Sequence, residues 1–411
     1  MFNVIQTDQG PDLEWVGLSD RPRSIMLGSG KGGCGKTAST VQTAAALAVR
    51  GADVLIAEIS EGHGPLTHRF APREFHNGHG TGRALQRIVG AARPGATYFE
   101  ARTQFLPEAR IEAEGLFTTI KRVQVDPQNP KACFEFMPCA ETHLATVAAN
   151  PRMQERPTRR ALFAATIDAL VERRGKPWDF ILFDVLPNVD SLVLKGALAT
   201  CDAFALLVDM QSADPLPGFP ALREEIQSIE REKGRTGQAP EPLFKGLIYN
   251  RIATGRGKRP PLTERINRLE IDRLMRKANR TFGILAEIRE MASLQMVTYN
   301  MTAVEELARA YGGTIPPNPE ELSDRDLEQL EFFTEGMDEG TNPLTLTAGP
   351  RYLGKFMPSA KKSLLAEERA MLGLILGLSG DARAFDDYQT AVENYYRSIA
   401  RSDEEEGGSG E

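Results

Sequence analysis

The sequence predicts an α/β fold: a doubly wound, mostly parallel sheet with an appended C-terminal helical region. Strand and helix patterns alternate from about residue 23 to residue 312, which is typical of βαβ units. A glycine-rich loop, residues 28–37, joins the first apolar strand to the first helix. Beyond Pro316 and Pro317 the alternation stops, and helical patterns follow. These observations favour one large α/β unit with additions at its C-terminal side.

Length and composition agree with that class. With 411 residues, 41% of them apolar, the chain can bury a sizeable core in one large domain or in two. No run of about 18 apolar residues is present, so no transmembrane helix is predicted, and the mixed N-terminus does not resemble a secretory signal. The four cysteines lack CxxC spacing and indicate neither a disulfide framework nor a zinc site. Residues 320–411 carry a net charge of −11, whereas the preceding residues carry +4.

The predicted elements divide the chain into four parts. Strands are predicted at residues 24–27, 53–58, 133–138, 179–184, 204–209, 244–250 and 283–288, and helices at 38–50, 84–89, 108–120, 157–174, 221–233, 303–311, 320–335, 360–378 and 381–401. We therefore expect an N-terminal extension (1–22), an α/β domain (23–315) with a long insertion or switch region (60–130), a helical region (316–401) and a disordered acidic tail (402–411).

The glycine-rich loop has the phosphate-binding pattern G-x-x-x-x-G-K-[ST] at residues 30–37. Glycines let backbone N–H groups curl around a phosphate without Cβ clashes. The pattern places Lys36 to reach the β- and γ-phosphates and the Thr37 hydroxyl to ligate Mg²⁺. The N-terminus of the following helix adds partial positive charge. The loop therefore predicts a nucleotide-binding site.

A carboxylate closes the apolar strand at residues 179–184. Asp184 has the place of a Walker-B residue, which holds Mg²⁺ through a water and senses the γ-phosphate. An aspartate that merely ends a strand is the alternative. Because the phosphate loop precedes it in the same pattern of strands, we predict that Asp184 is a metal ligand together with Thr37.

An extra lysine, Lys31, precedes Lys36 by five residues, and residues 31–37 closely resemble the deviant phosphate loop of the ParA/MinD group of P-loop ATPases. A solvated lysine in a turn is the alternative. The resemblance extends over residues 23–312. It implies a P-loop NTPase fold, ATP and Mg²⁺ as cofactors, and a homodimer formed with ATP, in which Lys31 crosses to the partner's nucleotide.

The resemblance also implies a set of site residues. Asn250 follows a buried strand, where the family carries an asparagine that hydrogen-bonds the adenine edge; a turn residue is the alternative. The predicted catalytic residues are Lys31, Lys36, Glu58 and Asp184, and the predicted nucleotide-binding residues are Gly30, Lys31, Gly32, Gly33, Cys34, Gly35, Lys36, Thr37, Ala38 and Asn250.

The second strand departs from the family pattern. It ends in Glu58-Ile59-Ser60, where the family has Asp-x-Asp and its second aspartate helps to position the attacking water. Glu58 can bind a Mg²⁺-bound or catalytic water, but Ser60 cannot act as a carboxylate, and Glu61 is a candidate substitute. Phosphoryl transfer depends mainly on positioning and charge stabilisation. We therefore expect weak ATPase activity, or a switch that works mainly by binding.

Two segments outside the loop have unusual composition. Four of the five histidines, His63, His68, His76 and His79, fall within 17 residues. Their spacing matches no familiar metal site, so a nucleotide-sensitive switch loop or a solvated loop is predicted.

Residues 251–280 hold ten Lys or Arg against three acidic residues. ParA-like ATPases bind DNA non-specifically through basic residues of their C-terminal half, so the resemblance implies a salt-dependent DNA surface. The predicted DNA-binding residues are Arg251, Arg256, Lys258, Arg259, Arg265, Arg268, Arg273, Arg276, Lys277 and Arg280; a solvated basic helix that pairs with the acidic C-terminal region is the alternative.

The resulting functional prediction is a cytoplasmic ATPase that couples its nucleotide state to DNA association and to segregation or positioning of DNA or another cargo, with an adaptor or cargo protein as partner. Binding to DNA would also place it at the nucleoid. A slow or non-hydrolysing ATP-gated scaffold and a MinD-like membrane positioner are the alternatives. The membrane alternative is disfavoured because the apolar helix at residues 371–378 is internal and the acidic tail would be repelled by anionic lipid. For that helix, core packing or a dimer or partner surface is predicted.

Overall fold

The computed structural model describes residues 2–7, 10–17, 22–30, 32, 34–59, 65–71, 80–126, 129–139, 141–185, 191–214, 216, 218–235, 243–252, 261–277, 283–289, 361–379 and 382–407. Strands and helices are numbered in chain order over these residues. Helices expected at residues 303–311 and 320–335 lie outside this part of the chain. Within it, no helix is long and apolar enough to cross a lipid bilayer.

An eight-stranded sheet forms the centre of the fold. Its strands are β3 (Arg23–Gly28), β4 (Val54–Ile59), β5 (Lys121–Asp126), β6 (Asn129–Met137), β7 (Phe180–Val185), β8 (Ala203–Asp209), β9 (Phe244–Ile252) and β10 (Gly283–Arg289). They are ordered β10-β9-β8-β3-β7-β4-β6-β5, and only the β5–β6 pair is antiparallel. The apolar strands β3, β4, β7 and β8 are buried almost throughout, as expected for parallel strands covered on both faces. The predicted mostly parallel sheet is confirmed.

Helices cover both faces of the sheet, which confirms the doubly wound class. One apolar core lies under α3 (Thr81–Val89), α4 (Tyr98–Thr119), α5 (Glu141–Ala149), α6 (Arg156–Arg174), α7 (Leu192–Thr200), α8 (Phe219–Arg235) and α9 (Leu262–Lys277). The other lies under α1 (Lys36–Val49), α2 (Pro65–Phe70), α10 (Lys361–Ser379), α11 (Ala382–Gly407) and a hairpin of β1 (Phe2–Thr7) and β2 (Gly10–Trp15). A short 3₁₀ helix, Pro151–Gln154, precedes α6.

The C-terminal helices belong to the second core. The apolar run of α10 is buried, with Leu374, Leu376 and Leu378 fully covered. Gly377 allows the close approach of α10 to β10, because a Cβ atom at this position would lie 2.7 Å from a methyl carbon of Leu285. The Arg23 side chain of β3 donates a hydrogen bond to the Leu378 carbonyl oxygen at 3.1 Å. The apolar helix is therefore part of the core.

The N-terminal segment, for which only an extension was predicted, forms the β1–β2 hairpin on the same core. The rings of Phe2 and Trp15 lie 4.7 Å apart, and Trp15 lies 5.1 Å from the ring of Phe180 at the start of β7. A nearly buried ion pair joins Asp12 to Arg50 at 2.6 Å, immediately after α1. Aromatic packing and this ion pair fix the hairpin to the sheet.

Two further differences concern the edges of the fold. Strand β5 was not predicted, because only two of its six residues, Val123 and Val125, are apolar; it pairs antiparallel with β6 at one edge of the sheet. Helix α11 continues to Gly407 and so includes six residues of the segment 402–411 for which disorder was expected. Its last turns are the direct continuation of an established helix, which removes the cost of nucleation.

Candidate nucleotide-binding site

The glycine-rich loop lies at the carboxyl end of the central strand β3, where ligands bind in open α/β sheets. Two positions in it require glycine. A Cβ atom on Gly28 would collide with the ring of Phe204 on β8. Gly35 has a φ of +83°, which is left-handed backbone, and a Cβ atom on it would lie 2.5 Å from Asn250 Nδ2. The carbonyl oxygen of Gly35 also accepts the first backbone hydrogen bond of α1, from the Ser39 N–H at 2.8 Å.

Lys36 begins α1 with its side chain folded into the loop. The residue is buried, and its ammonium donates a hydrogen bond to Ser29 Oγ at 2.9 Å. Burial lowers the pKa of Lys36 below its usual value, although the nearby Cys34 and Asp184 oppose that shift. An ammonium withdrawn from water inside a glycine loop is well suited to bind an anionic phosphate.

Thr37 and Asp184 bring the loop and the end of β7 together. The Thr37 hydroxyl donates to Asp184, at 3.0 Å from Oδ2 and 3.2 Å from Oδ1. Asp184 is 3% exposed, and its pKa is raised to about 7, mainly by burial and also by the neighbouring Glu58, whereas the Thr37 hydrogen bond and Lys36 lower it. A hydroxyl and a carboxylate are the hard oxygen donors that Mg²⁺ takes, so these two residues fit a magnesium site.

Glu58 is the penultimate residue of the neighbouring strand β4 and pairs in register with Asp184. Its fully buried carboxylate accepts the N–H groups of Leu66 at 3.0 Å and Thr67 at 2.7 Å, and the Thr67 hydroxyl at 2.5 Å. The Thr67 oxygen in turn accepts the Cys139 N–H at 2.7 Å. Glu58 thus holds the first turn of α2 and links it to the segment after β6. Its catalytic role stays a prediction.

Asn250 lies on β9, opposite Asp209 of β8 in the sheet register. It is 9% exposed, and its Nδ2 donates to the Cys34 carbonyl oxygen at 2.6 Å. The amide therefore contacts the phosphate loop in this structure. The adenine contact implied by the family resemblance stays a prediction.

The remaining predicted site residues divide into described and undescribed positions. Gly30, Gly32, Cys34 and Ala38 lie in the loop and the first turn of α1. Lys31, Gly33, Ser60, Glu61, His63, His76 and His79 lie outside the described residues, and His68 is placed only as a backbone position in α2. The described part of the chain contains no group of three or more His, Cys, Asp or Glu side chains arranged to hold a metal ion.

The predicted DNA-binding residues are only partly described. Arg256, Lys258, Arg259 and Arg280 lie outside the described residues, and Arg251, Arg276 and Lys277 are placed only by their backbone in β9 and α9. Arg265 and Arg273 are exposed on α9. Arg268 is engaged within the fold: its guanidinium contacts Glu264 at 3.0 Å and Glu287 at 2.9 Å and lies over the ring of Tyr249.

Helix α9 has an unusual distribution of side chains. Its buried positions include Glu264 and Asn267, whose Nδ2 donates to the carbonyl oxygens of Met210 and Ser212, both at 2.9 Å. Its outward positions include Leu262, Ile266 and Leu269, which are 68%, 51% and 71% exposed. Spaced at i, i+4 and i+7, these three form one apolar stripe on the solvent side, which reverses the usual pattern of a surface helix.

Sequence reasoning missed two residues that build the site and one residue that anchors a helix outside it. Ser29 binds the Lys36 ammonium, Thr67 connects Glu58 to Cys139, and Asn267 anchors α9 to the turn after β8. Ser29 stands between two loop glycines, so its position in the motif could have suggested a contact. Thr67 and Asn267 depend on tertiary packing and have no local signal.

The mostly parallel sheet, with the glycine-rich loop at the carboxyl end of its central strand, gives this chain the fold of a P-loop NTPase. Solved structures similar to this chain include apo McdA from Cyanothece, with 15% identity over 67% of this chain and 89% of that chain and a TM-score of 0.43. They also include a plasmid partition protein from Borrelia burgdorferi bound to AMPPNP (15%, 67% and 89%, TM-score 0.36) and cobyrinic acid a,c-diamide synthase from Mycobacterium smegmatis with a bound ATP analog and magnesium (15%, 61% and 82%, TM-score 0.39). No protein-family model and no curated protein sequence matches the chain. With TM-scores below 0.5, these likenesses carry no weight for function.

Proposed function

We propose that this chain is an ATPase of the ParA/MinD type that binds ATP with Mg²⁺ in the glycine-rich loop. One observation carries the proposal: the ammonium of Lys36, the hydroxyl of Thr37 and the carboxylate of Asp184 converge at the carboxyl ends of β3 and β7. This combination of a buried cation and hard oxygen ligands suits a magnesium-bound polyphosphate. The residues that carry the family resemblance, from Lys31 to Thr37, occupy the same loop.

Each of these residues has a distinct task. Lys36 binds phosphate oxygens and stabilises the charge that develops during phosphoryl transfer. Thr37 and Asp184 hold Mg²⁺, whose charge favours the ionised form of the Asp184 carboxylate. Bound ATP and Mg²⁺ supply the phosphoanhydride and the metal charge. Lys31 of each protomer reaches the nucleotide of its partner, so that ATP joins two copies.

Turnover is proposed to be slow. The Glu58 carboxylate is engaged by Leu66 and Thr67, which leaves positioning of the attacking water to residues after β4. Ser60 cannot act as a carboxylate there. A site of this kind changes state mainly through binding and release of nucleotide.

DNA is the proposed ligand of the dimer, and DNA or cargo segregation or positioning, with an adaptor protein, is the proposed process. Arg265 and Arg273 are exposed on α9, close in sequence to the basic residues Arg256, Lys258 and Arg259. Each arginine or lysine that neutralises a phosphate releases counterions, so binding should weaken steeply as salt is raised.

A second candidate, an ATP-gated scaffold that recruits a protein, is favoured by the outward stripe of Leu262, Ile266 and Leu269. Exposed apolar side chains in a row suit a protein segment better than a nucleic-acid backbone. Arg265 and Arg273 are exposed on the same helix. The expected partner therefore presents apolar side chains with acidic ones beside them.

Nucleotide titration and turnover assays test the first proposal. We expect Mg²⁺-dependent ATP binding, a dimer mass by light scattering with ATP, and slow hydrolysis with and without DNA. Lys31→Ala should keep ATP binding and lose the dimer. Lys176→Ala should change neither, because this exposed lysine precedes β7 and lies at the amino ends of the strands, away from the loop. Absence of ATP binding by the wild-type protein would refute the proposal, and tight binding without turnover would favour the scaffold.

Two sets of substitutions separate DNA from a protein partner. Charge reversal at Arg256, Lys258 and Arg259 should weaken ATP-dependent DNA binding and reduce its salt dependence. Replacement of Leu262, Ile266 and Leu269 by serine should leave DNA binding unchanged. If the serine variant loses DNA binding and the charge-reversed variant keeps it, the proposed DNA surface is wrong.

A further inference from the structure

We infer that Asn250 is a positioning residue of the phosphate loop, which holds the peptide between Cys34 and Gly35 in the orientation that binds phosphate. This inference rests on the proposed nucleotide-binding function and assigns to Asn250 a task other than reading the base. It predicts that Asn250 contributes to the affinity for any polyphosphate, with or without an adenine ring.

The side chain of Asn250 projects from a rigid frame. The backbone of Asn250 pairs in register with Asp209 of the central strand β8, and the Asn250 carbonyl oxygen accepts the Met210 N–H at 3.0 Å. The side-chain amide then reaches the loop and donates to the Cys34 carbonyl oxygen at 2.6 Å. Asn250 and Cys34 are both buried, so little water competes for this hydrogen bond.

The direction of the Cys34 carbonyl group fixes the next N–H. In a planar trans peptide, the carbonyl oxygen and the following N–H point in opposite directions. With the Cys34 oxygen held against Asn250, the Gly35 N–H points away from β9. Phosphate loops bind anions through N–H groups that point into the loop. Rotation of this peptide would present an oxygen instead, which repels phosphate.

Gly35 gives independent support. Its left-handed backbone, with a φ of +83°, sets the turn into α1, and a Cβ atom there would lie 2.5 Å from Asn250 Nδ2. The loop and the amide are therefore fitted to each other at two neighbouring residues. An asparagine placed only to meet an adenine ring would not require this close approach to the loop backbone.

Affinities for three ligands test the inference: ATP, GTP and inorganic tripolyphosphate, each with Mg²⁺. Asn250→Ala should lower the affinity for all three by a similar factor of about ten, because a buried hydrogen bond to the loop is lost. The ratio of ATP to GTP affinity should stay at its wild-type value. Asn250→Leu, which has the same branching at Cγ and no donor, should give the same pattern and fills the space that the alanine variant leaves empty.

Asn267→Ala is the matched control, because it removes another buried asparagine amide that holds the turn after β8 and not the loop. It should leave tripolyphosphate affinity unchanged, and circular dichroism melts should show that all variants are folded.

A loss of ATP affinity with unchanged tripolyphosphate affinity and an altered ATP to GTP ratio would overturn the inference in favour of base recognition. Equal losses in the Asn267 variant would overturn it as general loosening, and unchanged affinities would also overturn it. A wild-type protein that binds none of the three ligands would refute the proposed function itself.

Discussion

Asp184 and Glu58 lie next to each other on β7 and β4, yet they serve two different regions of the molecule. Asp184 accepts the Thr37 hydroxyl and belongs to the phosphate region, together with Lys36. Glu58 accepts donors from Leu66 and Thr67 and belongs to the α2 region. Both carboxylates are buried, and both lie one residue before the end of a parallel strand.

The difference teaches that the donors facing a strand end decide what its carboxylate does. At Asp184, the Thr37 hydroxyl and the Lys36 charge favour the ionised form, but burial and the neighbouring Glu58 outweigh them and raise the pKa to about 7. At Glu58, two N–H groups and a hydroxyl face the carboxylate, which holds the first turn of α2. Asp184 is thereby tied to the start of α1, and Glu58 to the start of α2.

The largest expected effect concerns the phosphate region alone. Lys36→Ala should lower ATP affinity about a hundredfold, since it removes a buried charge-assisted contact to phosphate. Isothermal titration calorimetry measures it, with Lys176→Ala as the exposed lysine control. A loss below threefold would mean that Lys36 does not contact the nucleotide.

The next effect is the pH dependence of stability without ligand. The pKa of Asp184 is raised to about 7 in the folded protein, above its unfolded value, so ionisation destabilises the folded state. Its contribution to the free energy of unfolding is therefore fully present below about pH 4 and falls by about 4 kcal/mol as the pH rises through 7, with little further change above about pH 8. Urea unfolding at pH 5 to 8 should show this slope, and Asp184→Asn should reduce it. A slope of opposite sign that persists unchanged in Asp184→Asn would contradict the assignment.

A direct comparison of the two carboxylates comes third. Asp184→Asn should lose about tenfold in ATP affinity in the presence of Mg²⁺ and little in its absence, because a metal ligand is removed. Glu58→Gln should keep the Mg²⁺ effect and instead lower the free energy of unfolding, because it weakens the contacts to α2. Titrations with Mg²⁺ and with EDTA distinguish them. Loss of the Mg²⁺ effect in Glu58→Gln would place Glu58 in the phosphate region.

The smallest effect is expected within the α2 region. Thr67→Val keeps the shape of the side chain but removes the hydroxyl between Glu58 and the Cys139 N–H, and should lower the free energy of unfolding by about 1 kcal/mol. ATP affinity should not change. Thr103→Val, at an exposed threonine of α4, is the control for the substitution itself. Unchanged stability would show that this link is not needed.

Local patterns were sufficient for the central strands and the phosphate loop. β4, β7 and β8 are continuous apolar runs, and the loop has a fixed spacing of glycines, lysine and threonine, so both are visible in the sequence. The proximity of Asp184 to the loop could be predicted because it follows from the place of this residue near the end of such a run. The parallel order of the strands then follows from the alternation with helices.

Features that depend on distant partners were not visible. The β1–β2 hairpin is held by Phe180 and Arg50, which are far away in sequence. The contacts of Glu58 with α2 and of Asn250 with Cys34 arise only when the strands are assembled. The buried Asn267 and the outward Leu269 of α9 reverse the usual amphipathic rule, so periodicity gives no indication of which face is covered.

The packing of the hairpin has a spectroscopic consequence. The chain has two tryptophans, and both lie at the amino end of β7: Trp15 Nε1 donates to Asp179 at 3.1 Å, and Trp178 Nε1 donates to Glu135 at 2.7 Å. Asp184 lies at the other end of this strand, roughly 20 Å away at about 3.3 Å per residue. Indole emission from this protein therefore reports whether the hairpin and β7 are assembled and is insensitive to what occupies the loop. It provides an optical signal for unfolding that nucleotides do not disturb.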